Sequence, residues 1–203
     1  MSVVAVAGLL LTGGASRRLG RDKTVVPVGG RPCAVVVGER LANVTSPAIE
    51  VGPGRSGLPA VVEKEPGQGP LAAIAAGWRV LVDRGHAGPC LVLACDLPRI
   101  SVPLLRLLAG WAGEGTVVPV SEGVPQTLCA RYSKEALARA ESLVAGGARS
   151  VRALLADETA AARVTLVPPA TWGSVAPPEV FADLDTPADL MRLGLSNPSE
   201  DQI

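Results

Sequence analysis

The hydrophobic positions of this chain fall in short, nearly unbroken runs separated by glycine and proline. Val3 to Leu11 is one run, closing on Gly13-Gly14, and Pro89 to Ala94 is a second, closing on Cys95-Asp96-Leu97-Pro98. Continuous apolar runs of this length predict strands covered on both faces. Elsewhere the period lengthens. Arg31 to Val44 sets Val35, Val36, Leu41 and Val44 on one side behind Pro32, and Pro70 to Val82 is rich in Ala and Leu. Both predict helices with proline in the first turn, and Val102 to Trp111, led by Pro103, predicts a third. Ala48 to Val51 and Ala60 to Glu63 are short, weaker strand candidates. Further on, Thr116 to Val120 and Gln126 to Tyr132 predict strands bridged by a polar turn through Glu122-Gly123. Ser133 is placed to cap a helix running to about Val144, with Glu135 in its first turn. Ser150 to Leu155 predicts a helix and Arg163 to Val167 a strand, and Thr186 caps a last helix over Pro187 to Leu193. The final ten residues are polar and are expected to fray.

Strands alternate with helices through the first 110 residues. That order predicts an α/β fold of three-layer, Rossmann-like design, with a mostly parallel central sheet and helices on both faces. A chain of 203 residues fits one domain, here residues 1–195, followed by a polar tail over 196–203. Ligands of open parallel sheets sit beyond the carboxyl ends of the strands. Two segments occupy that position, Thr12 to Lys23 and Cys95 to Pro98.

Composition narrows the picture. Hydrophobic residues make up 48% of the chain but only 2% are aromatic, so the core must be Leu, Val and Ala. The 23 glycines and 18 prolines show no period and read as turns. Formal net charge is zero, with no basic stripe interleaved with aromatics, which argues against a nucleic-acid partner and leaves room for a small phosphorylated ligand. The apolar segment Val3 to Thr12 lacks a basic flank and falls short of the ~20 residues of a membrane span, so neither a span nor a signal peptide is expected. Cys33, Cys90, Cys95 and Cys129 form no CxxC pair and the only histidine is His86, which argues against structural zinc. Apolar surroundings suggest buried thiols and a reducing, cytoplasmic setting.

The chemistry concentrates in Leu11-Thr12-Gly13-Gly14-Ala15-Ser16-Arg17-Arg18-Leu19-Gly20-Arg21-Asp22-Lys23. Paired glycines let backbone N–H groups approach an anion. Arg17, Arg18, Arg21 and Lys23 supply the clustered positive charge that a triphosphate requires. The segment matches neither GxxxxGK[ST] nor GxGxxG. A solvated surface loop is the alternative. Asp96, directly after a predicted buried strand, would point into the crevice, where Mg²⁺ takes one or two carboxylates plus phosphate oxygens. A turn-capping Asp before Pro98 is the competing reading.

Taken together, Leu11-x-Gly13-Gly14-x-Ser16-x-Arg18-Leu19-Gly20-x-Asp22-Lys23 resembles the signature loop of the MobA-type molybdenum cofactor guanylyltransferases, members of a nucleotidyltransferase superfamily. Gly69-Pro70-Leu71-Ala72-Ala73-Ile74 resembles the family's GPLAGI helix start, and Cys95-Asp96-Leu97-Pro98 its CDMP turn. Gln126 to Tyr132 is similar to its Q-P-L strand, Arg149 to Leu155 to its RSLRALL helix, and Asp183 to Pro187 to its late D-x-D-T-P element. These segments stand in family order over roughly residues 5–193.

The resemblance implies an enzyme that moves GMP from GTP to the terminal phosphate of the molybdopterin cofactor, with Mg²⁺ on Asp96. It implies Arg18, Lys23 and Asp96 as catalytic residues. Nucleotide contacts would come from Leu11, Thr12, Gly13, Gly14, Ala15, Ser16, Lys23, Gly69, Pro70, Leu71 and Asp96. Acceptor contacts would come from Gln126, Arg149, Ser150, Asp183 and Asp185. Asp183 and Asp185 stand where guanylyl members often carry asparagines, and capping of the last helix explains Asp185 equally well. Lys64 stands where many members carry an acid that contacts the nucleotide; Glu63 or Glu65 takes that place if the register shifts by one, and a solvated turn is the alternative. Gly13-Gly14 favours GTP over the CTP of cytidylyl relatives. Transfer of another nucleotide to a pterin or sugar phosphate remains open, as does a non-catalytic nucleotide-binding accessory. A monomer or weak homo-oligomer is expected, with a molybdoenzyme or a chaperone as a possible partner.

Overall fold

A computed structural model of the chain describes residues 5–13, 19–63, 65–156 and 164–195. Among these residues an eight-stranded sheet is flanked by helices on both faces. The strands are β1 (Ala7–Leu11), β4 (Ala48–Val51), β5 (Ala60–Val61), β6 (Cys90–Ala94), β7 (Thr116–Ser121), β8 (Val124–Pro125), β9 (Cys129–Tyr132) and β10 (Val164–Val167). Their order is β10-β7-β9-β6-β1-β4-β5, with β8 hairpinned onto β7. Parallel pairing joins β6, β1, β4 and β5, and β10 pairs parallel with β7; β9 runs antiparallel between β6 and β7. This is the mixed, mostly parallel α/β sheet that the alternation of elements predicts. β2 (Pro27–Val28) and β3 (Arg31–Pro32) form a separate two-stranded ribbon.

Alternation along the central strands divides the core into two layers. Ala7, Leu9 and Leu11 of β1 and Cys90 and Val92 of β6 face α2 (Pro70–Asp83), α4 (Lys134–Ala138), α5 (Ala140–Ala145) and α6 (Ala153–Ala156). Leu10, Leu91 and Leu93 face the opposite way, toward α1 (Cys33–Ala42), α3 (Val102–Ala109) and the C-terminal segment with α7 (Pro169–Trp172) and α8 (Pro187–Leu193). Successive strand side chains point to opposite faces, so a strand that is apolar throughout needs a helical layer on each side. All four cysteines are buried and free, as expected. Among the described residues no helix is long and apolar enough to cross a membrane.

Several boundaries differ from the sequence reading. The first helix starts at Cys33, not Arg31, because Gly29 and Gly30, both at positive φ (57° and 77°), fold residues 27–28 back onto 31–32. Pro32 is therefore the N-cap residue. The helix expected from Ser133 to Val144 is two pieces that meet at Arg139, although Ser133 does cap the first through a 3.1 Å bond from the Ala136 amide. β9 begins only at Cys129: Gln126 lies before it and donates its backbone N–H to Pro119, closing the β7–β8 hairpin region. Residue 150 is a bend and residues 151–152 form a turn, so that helix covers Ala153–Ala156 alone. Arg131, buried on β9, donates to the carbonyls of Ala109, Trp111, Gly113 and Gly115 and so braces the connection from α3 to β7.

Candidate active site

The carboxyl ends of β1 and β6 and the amino end of α2 enclose a cleft of about 670 Å³. Its walls include Leu11, Thr12, Gly13, Lys23, Asp96 and Asp185, together with Glu63, Gly69 and Pro70. β1 and β6 are adjacent and parallel, with Leu11 level with Ala94, so the segments that follow them emerge side by side. The Cys95 amide donates to the Leu11 carbonyl at 3.1 Å and extends that pairing one residue further. Asp96 is thereby held at the lip of the sheet.

Lys23 opens a single 3-10 turn, Lys23–Val25, capped by Asp22, whose Oδ1 accepts the Thr24 amide at 2.9 Å. From there Lys23 Nζ reaches Asp96 Oδ2 at 2.9 Å and Asp185 Oδ1 at hydrogen-bond distance. Partial burial lowers the lysine pKa, but the Asp96 and Asp185 carboxylates outweigh it and hold the ammonium well above the usual lysine range. It is a permanent cation near neutral pH. Asp185 arrives by two backbone anchors. The Leu184 amide donates to the Asp96 carbonyl at 3.0 Å, tying the late acidic element to the end of β6. Asp189 Oδ2 accepts the Asp185 and Thr186 amides at 3.1 and 2.7 Å, part of the capping box that starts α8. Thr186 and Asp189 make the helix cap, while the Asp185 carboxylate reaches Lys23 in the cleft.

Two carboxylates sharing one ammonium mark a seat for positive charge. Among the described residues no group of three or more Asp, Glu, His or Cys side chains is placed to hold a metal ion by itself. A hard cation such as Mg²⁺ is suited by one or two carboxylates with the remaining oxygens from water and substrate phosphate. Asp96 and Asp185 fit that pattern.

Gly69 stands before α2 at φ 94°, and a Cβ there would meet the Arg149 carbonyl at 3.0 Å, so the cleft wall and the 148–150 turn touch backbone to backbone. Leu71 is fully buried beneath it. Glu63 borders the cleft opposite: a Cβ on Gly13 would lie 3.2 Å from its Oε2, while its Oε1 is enclosed without a hydrogen-bond partner. Burial pushes the Glu63 carboxyl up. Glu65 is exposed and faces Gln68 instead, at 3.5 Å. Of the two acids flanking Lys64, the geometry thus brings Glu63 to the cleft.

The proposed acceptor residues are dispersed. Arg149 points its guanidinium back to the Val144 and Ala148 carbonyls at 2.9 Å, closing the end of α5. Ser150 accepts the Arg152 amide, and Gln126 donates to the Val124 carbonyl at 3.1 Å. Asp183 is exposed, 3.8 Å from Arg192. None of these four side chains lines the cleft; of the proposed acceptor set, Asp185 does. Gly14, Ala15, Ser16, Arg17, Arg18 and Lys64 lie outside the described residues. Sequence reasoning passed over Thr24, Pro66, Ala73 and Leu128 as cleft-lining residues. It also passed over Glu50, whose only signal is a charge inside an otherwise apolar strand.

The model of the MobA-like NTP transferase domain matches residues 8–163. A protein of Mycolicibacterium paratuberculosis named "Probable molybdenum cofactor guanylyltransferase" is 35% identical over 201 residues, covering 93% of this chain and 94% of the relative. A namesake in Mycobacterium tuberculosis is 33% identical over 175 residues, 80% of this chain and 85% of its own length. In fold, the chain is similar to molybdopterin-guanine dinucleotide biosynthesis protein A of Archaeoglobus fulgidus, at a TM-score of 0.74 and 24% identity over 92% of this chain and 96% of that one. It is also similar to a nucleotidyl transferase of Methanothermobacter, at a TM-score of 0.70 and 16% identity over 93% and 95%. The likeness spans both the cleft-forming strands and the helix behind them, and the chain belongs to the MobA-like NTP transferase family.

Proposed function

We propose that this nucleotidyltransferase moves GMP from GTP to the terminal phosphate of the molybdopterin cofactor and releases pyrophosphate. The observation that carries the reading is the meeting of Lys23, Asp96 and Asp185 at the end of β6, in a cleft walled by Gly13 and the start of α2. The names of the relatives at 33–35% identity support guanine as the base and molybdenum cofactor as the acceptor.

In the proposed reaction an oxygen of the acceptor phosphate forms a bond to the α-phosphorus of GTP, and the bond from that phosphorus to the pyrophosphate oxygen breaks. A phosphate monoester is already anionic near neutral pH, so no strong general base is required. The protein's part is alignment and charge neutralisation. Lys23 shifts its hydrogen bonds from the carboxylates to phosphate oxygens, and the backbone at Thr12 and Gly13 lies against the nucleotide. Glu63, facing Gly13, takes the nucleotide-contacting place of the acid that Lys64 replaces. Mg²⁺, held by Asp96 with Asp185 beside it, would neutralise charge on the transferring and leaving phosphates.

Thermal unfolding with GTP, CTP, ATP and UTP, each with and without Mg²⁺, tests this reading. A ligand at a hundredfold excess over its Kd raises stability by about 2.7 kcal/mol. The expected outcome is a Mg²⁺-dependent rise confined to GTP and much reduced in Asp96→Ala. Turnover should fall at least roughly a hundredfold in both Lys23→Ala and Asp96→Ala. A rise with CTP instead would move the reading to cytidylyl transfer, and near-normal turnover in either variant would refute the assigned roles.

A further inference from the structure

The connection between β4 and β5 holds a carboxylate that the chemistry above does not use. Glu50, on β4, is fully enclosed and is the only carboxylate among the described buried residues. It accepts five hydrogen bonds: from the hydroxyls of Thr12 and Ser56, each at 2.5 Å, and from the amides of Gly54, Arg55 and Ser56 at 2.8, 2.8 and 2.7 Å. A buried charge is tolerable only when saturated in this way.

The donors come from two places. Residues 54–56 are the turn that follows Glu50, and a strand-end acid holding its own turn is ordinary structure. Thr12 lies 38 residues earlier, directly after β1, and lines the cleft. Glu50 therefore joins the entry to the glycine-rich segment to the neighbouring loop. Gly52 allows the approach, since at φ 148° a Cβ would meet Thr12 Oγ1 at 2.1 Å and the Gly13 nitrogen at 3.0 Å. The same loop also reaches the exit of that segment. Arg55 Nε lies 3.9 Å from Asp22 Oδ2, and Asp22 Oδ1 accepts both the amide and the hydroxyl of Thr24, at 2.9 and 2.6 Å, bracing the turn that carries Lys23. The exposed Arg55–Asp22 contact is weak. The Thr12–Glu50 bond is buried and charge-assisted, so it carries most of the constraint.

We infer that Glu50 is a positioning residue for nucleotide binding, acting through Thr12 and the 54–56 loop without touching the ligand. The inference rests on the proposed reading of the cleft as a nucleotide site. Lys23 and Asp96 are held by each other and by Asp185, so loss of Glu50 loosens the binding wall and leaves the reacting groups in place. Glutamine at this position keeps one acceptor oxygen but turns an NH₂ group toward the donors, which opens the constellation.

The test uses the full chain in five forms: wild type, Glu50→Gln, Thr12→Val, the double variant and Thr12→Ser, at a temperature where each is folded by circular dichroism. Calorimetric titration with GTP and Mg²⁺, steady-state turnover and amide exchange without ligand are compared. Glu50→Gln is expected to raise the GTP Kd and KM roughly tenfold with kcat changed less than about twofold. It should also speed exchange at residues 12–13 and 54–56 while leaving β6 and α2 protected. Thr12→Ser keeps the hydroxyl and should recover most of the affinity that Thr12→Val loses, and Thr12→Val combined with Glu50→Gln should cost less than the product of the single effects. A merely structural Glu50 would lower the unfolding temperature of Glu50→Gln and leave Kd, KM and kcat of the folded variant unmoved. A folded Glu50→Gln that binds GTP like a GTP-binding wild type overturns this inference alone. A wild type that binds no nucleotide overturns the proposed function and this inference with it.

Discussion

Glu50 and Glu63 show how one residue type takes opposite parts at one cleft. Burial on its own would raise the Glu50 carboxyl, but bonds from Ser56, Thr12 and the Arg55 and Ser56 amides outweigh it and hold it below the usual carboxylate range. Burial raises Glu63 instead. The signs of their contributions to stability follow. A carboxyl raised by folding binds its proton more tightly in the native state, so its contribution is full below the unfolded pKa and is lost as pH climbs through the folded value. Ionised Glu63 therefore burdens the ligand-free protein at neutral pH. Glu63→Gln should raise the unfolding temperature at pH 7 by roughly 1–2 °C, with the gain gone near pH 4, while GTP affinity falls. Unfolding scans of both proteins across pH 4–8 check this, and identical curves would mean that the enclosed oxygen is not a cost. Glu50 behaves oppositely, stabilising above its unfolded pKa and ceasing to as pH falls through its lower folded value. At this scale the sequence exposes Lys23 and Asp96, because each follows a strand directly or ends the loop that does. It does not expose the direction of Arg149, whose guanidinium finds carbonyls at the end of α5 before it finds a ligand.

Helix α2 is the element that ties packing to the site. Its first residue, Pro70, and Ala73 line the cleft, and its middle presses on the sheet at Gly77. A Cβ at Gly77 would stand 2.6 Å from Val51 Cγ2 and 2.7 Å from Leu9 Cδ2, both on buried strand residues. Two magnitudes compete in Gly77→Ala. Helix propensity favours alanine by about 1 kcal/mol, while overpacking a filled core costs about 1–3 kcal/mol. Contacts this short on enclosed side chains favour the second. A net loss of about 1 kcal/mol is expected in urea unfolding, with weaker GTP binding as the helix lifts; a midpoint at or above wild type would show that the strands yield freely. Elements whose signals are local were readable from sequence, such as the hydroxyl caps of Ser133 and Thr186 and the strands β1 and β6. Elements set by distant partners were not. β4 looks weak in sequence because Glu50 interrupts it, and only folding, which brings Thr12 and the 54–56 loop to it, supplies that charge with donors. The break at Arg139 leaves no clear mark either, since residues 134–145 are good helix formers on both sides.

Across the whole molecule, β1 and β6 belong to both core layers at once, and this decides how the protein should unfold. The two central strands serve both helical layers: Leu9 and Leu10 are neighbours in sequence but pack in opposite layers, as do Leu91 and Val92. A cavity on one face must therefore be felt on the other through the shared backbone. The tryptophans allow a direct check, because Trp78 sits in the α2 layer while Trp172 is buried in the opposite one with Trp111 packed against it. Leu91→Ala truncates a fully buried side chain of the α1 layer, a change worth about 2–5 kcal/mol. That is a large share of the roughly 5–15 kcal/mol by which domains are stable. If the shared strands couple the layers, tryptophan fluorescence and far-ultraviolet circular dichroism of Leu91→Ala will trace one urea transition, shifted to lower concentration with its slope unchanged. Separate transitions would mean that the α1 layer, with the C-terminal element that carries Asp185, can melt away from an intact α2 layer. The site would then be divided between two cooperative units, with Lys23 and Asp185 lost before the start of α2.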